Sequence, residues 1–551
     1  MKTEGTCRAA VVDLLYRPDL AVGVDAMDID KLQGLSDELR KLARQAFIEI
    51  GRENHPEALK LANEIEPLPV EPQKDFLLGA IRIDAGGGLR DESEVSRGIE
   101  LYENHVHEFE SEGMQAVSKL SFFYCLGNGY AAAAKIKRQA DDHYGCFQKT
   151  KTDFHAAMQQ YRNALQYASR DRTTTQTYIN LGNNLDALGR CLEALECYEN
   201  ALSITPDCGQ ALGNKGLCLK YYAAISGKHW PVFLSEAHYF LDMALRSSNT
   251  PQYARGAFAT AKQEIEKILG DRLLTSPFSP KYKNPGKSQV ERDLLDFGLK
   301  HRLCLNACNY CSSRCNTALG DTFTLKSMRV PISVDLDDDP FLKIQNWMNQ
   351  MRLAYATARY ILFLATEAPY YDDFVLSRVL IVETLDYSSH GIGIEMLKIA
   401  FKSFYSILDQ IASVVNEYLK LGLKGFKVSF NRVWYEEGMR KKDVARMIVD
   451  TGSFPLNALY NVHYDCEEGG PYEKLRLMRN CLIHGFVYVT EFESKPTDDK
   501  MNEEELATWT FELAQVVRNA VAYLMFFLWK ATKDAADTDS MLPTITLEER
   551  Q

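Results

Sequence analysis

The feature that most limits how this chain can fold is an internal repeat with a period of 34 residues. Gly182 and Gly216 stand 34 positions apart, and each follows a large apolar residue by four positions, Tyr178 and Leu212. A repeat of this length is one pair of helices, which cannot bury its apolar side alone and must stack on its neighbours. The repeat therefore predicts a helical array in this part of the chain.

Residues 174–208 hold the most complete copy, and its spacing resembles the tetratricopeptide (TPR) pattern. Small residues allow two antiparallel helices to approach closely, tyrosines fill the seam, and a proline ends the second helix. Weaker copies lie on both sides, with insertions at 136–152 and 228–232. The matching positions are Tyr178, Leu181, Gly182, Leu185, Gly189, Ala194, Tyr198, Ala201 and Pro206.

A linker is predicted after the repeats, because residues 275–287 contain three prolines and a glycine. Helical arrays present concave surfaces, so an unknown protein trigger or regulator is expected to bind the repeats. A helical spacer without a ligand is the alternative. The predicted domains are degenerate helical repeats at 1–110, TPR-like repeats at 111–270, a linker at 271–289, a second helical domain at 290–535 and a tail at 536–551.

The C-terminal half contains four long stretches with apolar residues at helical spacing. In one of them, apolar residues from Leu397 to Val415 form a single stripe. Four amphipathic helices of this length predict a bundle, and the fold class expected for the whole chain is all-α. The predicted helices are 343–366, 395–421, 472–484 and 503–530, with short strand-like exceptions at 328–334 and 485–490.

The third predicted helix ends in the sequence RNCLIHG, which contains Arg479, Asn480 and His484. An arginine, a polar residue, three further residues and a histidine resemble the signature of HEPN domains. These are helical bundles found in many bacterial toxin and defence ribonucleases. The same spacing occurs at Arg138 and His143, but that copy lies in an insertion of the repeat region. The C-terminal copy is therefore the predicted site.

Two further stretches, Tyr355–Leu364 and Tyr405–Tyr418, are similar to HEPN domains that follow TPR-like arrays in bacterial proteins. The resemblance covers roughly residues 290–530. It implies a HEPN four-helix-type bundle that cuts RNA at a cleft between two protomers, hence a homodimer or higher oligomer. It also implies a role in antiviral defence or toxin control. The alternative is a non-catalytic TPR/HEPN adaptor that binds RNA, nucleotide or protein partners.

The residue types suit RNA cleavage without a metal or another cofactor. Histidine serves as acid or base near neutral pH, and arginine neutralises phosphate with a planar fork. Asn480 and His484 are four residues apart and share a helix face, while Gly485 is the predicted C-cap. Catalytic roles are expected for Arg479, Asn480 and His484; a surface arginine with a helix-ending histidine is the alternative. Asp409 could orient Arg479 or His484, or simply cap or pair.

A basic segment before the motif helix interleaves cations with aromatic rings. That combination binds unpaired RNA, because cations contact phosphates and rings stack on bases. A solvated basic loop is the alternative. The predicted RNA-binding residues are Lys424, Lys427, Arg432, Trp434, Arg440, Lys441 and Lys442.

A cysteine cluster lies between the repeats and the predicted bundle. Cys304, Cys308 and Cys311 have the spacing that holds an iron–sulfur cluster in radical SAM enzymes, but no repeated strand–helix units surround them. Together with Cys315 they also form one stripe of a helix, which favours packing in a core. Zinc binding and an iron–sulfur cluster remain open alternatives.

Composition limits the remaining classes. With 63 basic and 75 acidic residues the net charge is -12, so any contact with RNA must be local. Thirteen cysteines scattered over 551 residues do not form a secreted disulfide framework, and the N-terminus does not resemble a signal peptide. The most apolar stretch, Val516–Trp529, is too short to span a bilayer. A cytoplasmic protein without membrane contact is expected.

Overall fold

The computed structural model divides the chain into two compact units. One comprises residues 1–224 and 230–276, and the other comprises 225–229 and 277–551. The described part is mostly helical, which confirms the all-α class. The predicted domain boundaries stay predictions, and residues 274–282 of the expected linker lie outside the described part. The described residues are 35–69, 73–110, 116–138, 143–273, 283–311, 316–325, 329–331, 340–367, 377–382, 387–440, 442–490, 500–535 and 544–546.

The first unit is a succession of helices, most of which pack against helices close to them in the chain. Side-chain caps begin several of them; Asp171, for example, accepts the backbone N–H of Thr174 at 2.7 Å. The predicted insertion at 136–152 is largely helical, because α7 runs through it. The helices are α1 Asp37–Gly51, α2 His55–Ile65, α3 Lys74–Leu89, α4 Glu92–Glu103, α5 Val106–Glu110, α6 Ala116–Lys137, α7 His143–Leu165, α8 Arg172–Ala187, α9 Cys191–Ile204, α10 Gly209–Ile225, α11 Trp230–Arg246 and α12 Gln252–Leu269.

Three glycines mark close contacts between paired helices. A Cβ atom at Gly182 would lie 2.7 Å from the Tyr198 ring, and one at Gly127 would lie 2.7 Å from the Tyr161 ring. At Gly216 it would lie 2.8 Å from a leucine of α11. A larger residue would therefore force each pair apart. These contacts agree with the repeat spacing, whereas assignment to the TPR family stays a prediction.

Asparagines on the first helix of each pair connect one pair to the next. The Asn180 amide donates to Asn128 Oδ1 at 2.9 Å, and the Asn214 amide donates to Asn183 Oδ1 at 2.8 Å. An unpaired buried amide costs about 1–3 kcal/mol, so a shift in register between pairs would be penalised. The amides therefore help to fix how successive pairs stack.

The second unit is built around α15, which packs against α14, α18 and α19. The four predicted helices are confirmed to within a few residues, while α13, α16 and α17 were not predicted. β1 pairs antiparallel with β4, and β2 pairs parallel with β3. The elements are α13 Gln289–Lys300, β1 Arg329–Pro331, α14 Pro340–Glu367, α15 Ile392–Tyr418, α16 Arg446–Asp450, α17 Phe454–Asp465, α18 Glu473–His484, β2 Tyr488–Thr490, β3 Lys500–Asn502, α19 Glu503–Ala535 and β4 Thr544–Thr546.

The described cysteines of the cluster are buried, but they do not lie on an α-helix as predicted. Cys304, Cys308 and Cys311 lie in a loop around a 3-10 turn, so the expected stripe of an α-helix is wrong; Cys315 lies outside the described residues. Burial raises the pKa of Cys304 to about 11, which keeps it a neutral thiol at physiological pH. Within the described part of the chain, no group of three or more His, Cys, Asp or Glu could hold a metal ion.

Helix α19 has the length and composition of a membrane span over residues 503–529. However, 83% of its most apolar window is buried inside the protein. One of its backbone carbonyls also has an internal partner, since the hydroxyl of Tyr355 on α14 donates to Ala514 O at 3.2 Å. The apolar sequence of α19 is therefore accounted for as a core helix of the second unit.

Candidate functional site

Helix α18 carries the motif at its exposed end. Leu475 and Met478 are fully buried and anchor the helix, whereas His484 is exposed. The Gly485 N–H donates to Cys481 O at 2.9 Å, so the helix ends at His484 as predicted. Gly485 has φ -148° and ψ -142°, and so does not adopt the left-handed conformation usual for a glycine cap.

Arg479 is half-buried against α15. Its guanidinium carbon lies 5.6 Å from the centroid of the Tyr405 ring, and Nη2 lies 4.0 Å from Asp409 Oδ2. Nη1 donates to Asn480 Oδ1 at 3.1 Å. Tyr405 and Asp409 are one turn apart on α15 and so share a face. This face of α15 therefore contacts the Arg479 guanidinium through both the Tyr405 ring and the Asp409 carboxylate.

Tyr405 was not predicted as part of the site. It is buried, and burial raises the pKa of its hydroxyl well above the usual range, so it remains neutral. Its spacing of four residues from Asp409 on a predicted helix was the available signal. That spacing alone could not reveal that Arg479, far along the chain, would pack on the ring.

Asp409 contacts Arg479 and does not contact His484. Its Oδ1 accepts the backbone N–H of Phe430 at 2.9 Å. Burial raises the pKa of Asp409, while the Phe430 hydrogen bond and the charge of Arg479 act in the opposite direction. The long contact with Arg479 therefore does not offset the loss of hydration at the carboxylate.

We expect Asp409→Asn to be at least as stable as wild type at neutral pH. The folded state holds the Asp409 proton to higher pH than the unfolded state does, so wild-type stability falls as pH rises from about 4 through the raised pKa. The asparagine variant lacks this fall. The difference should stay below about 1 kcal/mol, because the side chain is 37% exposed. Urea unfolding at pH 4 and pH 7 measures it; a variant that loses more stability than wild type between these pH values contradicts the expectation.

His484 stands apart from this cluster. It makes no hydrogen bond or ion pair with any residue that the structure describes. The structure thus brings Arg479, Asn480 and Asp409 together and leaves His484 one turn away at the open end of α18. A ligand can reach the cluster at Asn480 and can also reach His484, because both side chains are exposed.

Residues 336–530 match the family model described as LA2681-like HEPN.

The match confirms the HEPN part of the sequence prediction and includes the whole cluster around Arg479 and His484. It begins later than the expected position near residue 290. No curated protein and no solved structure matches the chain. The TPR-like resemblance of residues 111–270 has no family match behind it and stays a prediction.

Within the HEPN domain, Trp434 does not have the role predicted for it. It is fully buried, its Nε1–H donates to Phe430 O at 2.6 Å, and its ring stacks near His463 with 6.3 Å between centroids. A ring in the core cannot stack on a base. The prediction was wrong because an aromatic residue among lysines and arginines was assumed to face solvent with them.

Two cations of the basic segment are occupied by acidic neighbours. Arg440 forms an ion pair with Glu467, and Lys442 forms one with Glu437 at 2.7 Å. Both pairs are solvent-accessible and weak, so they reduce the charge offered to RNA more than they stabilise the fold. Lys441 lies outside the described residues.

The remaining cations of the segment are accessible. Lys424 is exposed and Lys427 is half-buried. The Arg432 guanidinium lies 5.2 Å from the centroid of the Phe426 ring, which is itself 73% exposed. This smaller set can contact phosphates, and its role in RNA binding remains a prediction.

Proposed function

We propose that the HEPN domain is a metal-independent endoribonuclease that uses Arg479 and His484. The observation that carries the proposal is the state of Arg479: its ion pair with Asp409 is long, and its buried Nε has no hydrogen-bond partner among the described residues. A phosphate that draws the guanidinium toward itself would supply the missing acceptor, because phosphate oxygens accept two parallel N–H bonds from arginine.

The chemistry follows from the two side chains. One histidine removes the proton from the ribose 2′-hydroxyl, the 2′-oxygen attacks phosphorus, and the bond to the 5′-oxygen breaks after that oxygen receives a proton. The products are a 2′,3′-cyclic phosphate and a 5′-hydroxyl. Arg479 neutralises the charge that develops on the phosphoryl oxygens. Asn480 sits beside Arg479 and limits its rotation through the hydrogen bond to Nη1.

A homodimer completes the site in this proposal. One chain supplies one motif histidine, whereas the reaction needs both an acid and a base. Two protomers whose α18 ends face one cleft supply both, which agrees with the arrangement that the HEPN resemblance implies. The exposed end of α18 is compatible with such a cleft, since His484, Ile483 and Phe486 are all exposed.

The test is cleavage of a labelled unpaired RNA in the presence of EDTA. An RNA with 2′-O-methyl groups at every ribose should resist cleavage, because no 2′-proton is available. Cutting of the methylated RNA, or a strict need for magnesium, would contradict the mechanism. RNA binding without any cleavage would instead favour the adaptor function.

We also propose that the first unit regulates the nuclease and takes no part in its chemistry. The predicted catalytic residues, Arg479, Asn480 and His484, all lie beyond residue 400. The first unit offers stacked helix pairs, an architecture suited to binding a protein trigger or regulator. A trigger acts by favouring one state of the HEPN domain over another. The biological setting, antiviral defence or toxin control in the cytoplasm, rests on the HEPN resemblance.

Residues 290–535 alone should therefore dimerise and cut RNA without control. We expect this fragment to be more toxic than the full chain if the first unit inhibits, or insensitive to the trigger if the first unit activates. Cleavage by the fragment and by the full chain at equal concentration is the measurement. A fragment that folds and dimerises but never cuts would place part of the chemistry in the first unit.

A further inference from the structure

The segment that leads from the motif helix into β2 carries two exposed aromatic rings. Phe486 is 78% exposed, and Tyr488, the first residue of β2, is 49% exposed. Neither ring packs against a described aromatic ring or cation. Val487 and Val489 alternate with them and are buried, so residues 486–489 are held on the domain by one face and present the rings on the other. Uncovered rings held in this way mark a contact surface.

A lysine lies on one side of Tyr488. β2 and β3 pair in parallel, with Tyr488 opposite Lys500, so the two residues lie about 4.8 Å apart across the sheet. Lys500 makes no ion pair with a residue of the described chain. The acidic start of α19, at Glu503, lies beyond the other end of β3, about 10 Å further along. The cation is therefore at the end of the sheet nearest His484.

A histidine lies on the other side of Tyr488. Ser388 pairs antiparallel with Thr490, and a backbone hydrogen bond between their neighbours continues the pairing. His390 lies two residues after Ser388, the position that this register aligns with Tyr488, although the bridge itself is formed at Ser388. His390 is exposed and has no ion pair or hydrogen bond to any described residue. Tyr488 is thus flanked by two nitrogen-bearing side chains that can contact phosphate.

We propose that these four residues, Phe486, Tyr488, Lys500 and His390, form a binding surface for unpaired RNA beside the cleavage site. We call them the β2 surface, and the inference rests on the proposed nuclease function. Phe486 and Tyr488 stack on bases, while Lys500 and His390 contact the phosphates between them. Double-stranded RNA keeps its base faces stacked internally, so the substrate class is single-stranded RNA.

The charges favour RNA over a second copy of the chain as the occupant of the β2 surface. A twofold interface would bring two copies of this patch together, each carrying Lys500, and like charges across an interface oppose association. RNA brings negative charge to the same groups. The basic segment is a weaker candidate for base stacking, because its tryptophan is buried and two of its cations are already paired.

The test is RNA binding by full-length His484→Ala protein, which leaves the RNA intact. Fluorescence anisotropy with a labelled single-stranded RNA should show that adding Phe486→Ala or Tyr488→Ala weakens binding about tenfold for each ring. Tyr488→Phe should bind normally because it keeps the ring. Lys500→Gln should lower the slope of log affinity against log salt by about 0.7. The matched control is Tyr360→Ala, which removes a ring that is 41% exposed on α14, outside both the sheet and the basic segment, and should change nothing.

Three outcomes would overturn the proposal: unchanged affinity without the two rings, an equal loss in Tyr360→Ala, or tighter binding of duplex than of single strands. Loss of self-association with RNA affinity retained, seen by sedimentation velocity, would assign the rings to a subunit interface and overturn it as well. Ring-dependent binding by a wild-type chain that never cuts would refute the nuclease and uphold the β2 surface. RNA cleavage and binding that do not depend on the two rings would uphold the nuclease and refute the β2 surface.

Discussion

Replacing His484 or Arg479 with alanine should lower the rate of RNA cleavage by about 10²- to 10⁴-fold and leave the fold intact. In the proposed mechanism, His484→Ala removes the proton-transfer group and Arg479→Ala removes the charge that stabilises the transition state. His484 has no described partner, and Arg479 is held by one long ion pair, one short-range hydrogen bond and a ring contact. Cleavage rates in EDTA and thermal unfolding of each variant are the measurements.

The matched control for Arg479→Ala is Arg476→Ala, one turn earlier on the same helix. Arg476 is engaged by Glu473 at 2.8 Å and donates to Cys466 O, so its guanidinium is already occupied. The control should cut RNA at close to the wild-type rate. Wild-type activity in His484→Ala would refute the mechanism, as would equal losses in Arg476→Ala and Arg479→Ala.

Mixed oligomers extend the same prediction to the dimer. If both motifs serve one cleft, adding excess Arg479→Ala chains should lower wild-type activity more than dilution does, because most wild-type chains then sit beside an inactive partner. Activity that falls only in proportion to dilution, or full activity from a strictly monomeric protein, would show that one motif suffices.

Trp434→Ala should destabilise the protein by about 3–5 kcal/mol. The ring is fully buried against Phe430, Tyr460 and His463, so alanine leaves a cavity that these neighbours cannot fill. Its indole N–H bond to Phe430 O is lost as well. The measurement is denaturant unfolding followed by circular dichroism, because removal of a tryptophan also changes the fluorescence signal.

The companion variant for Trp434→Ala is Phe426→Ala, which should cost less than about 1 kcal/mol because the ring is 73% exposed. Trp434→Phe retains most of the packing and should lie between the two. A Trp434→Ala protein of wild-type stability that binds RNA poorly would restore the interpretation in which the ring stacks on a base.

The burial of Trp434 also shows what could not be predicted from the sequence. The long helices were predictable, since α14, α15, α18 and α19 each carry an apolar period that does not depend on distant residues. Residues 424–442 have no such period, and their local composition suits a solvated loop as well as a core. Trp434 is buried because it packs against His463 and Tyr460 on α17, a short helix that was not predicted from the sequence.

The candidate site likewise contains residues that a local pattern predicts and residues that only distant pairings bring in. Arg479, Asn480 and His484 are neighbours in the chain, so a local pattern was enough to select them. The Tyr405 ring and the β2 surface depend on pairings between distant segments, such as Arg479 with Tyr405 and Ser388 with Thr490 across the antiparallel bridge. Nothing in the spacing of these residues encodes the register, because three-residue strands leave almost no alternation to detect.

The position of α19 in the chain has a consequence for the timing of synthesis. This helix packs against α14, α15 and α17, so the HEPN bundle has no complete core until α19 has been made. The motif at His484 is translated earlier, and the stretch from there to Ala535 takes about 3–10 s to synthesise at about 5–20 residues per second. The nascent chain thus carries the motif before it has the bundle that positions Arg479. If the HEPN domain is the proposed nuclease, no assembled nuclease lies beside the messenger RNA on the ribosome during that interval.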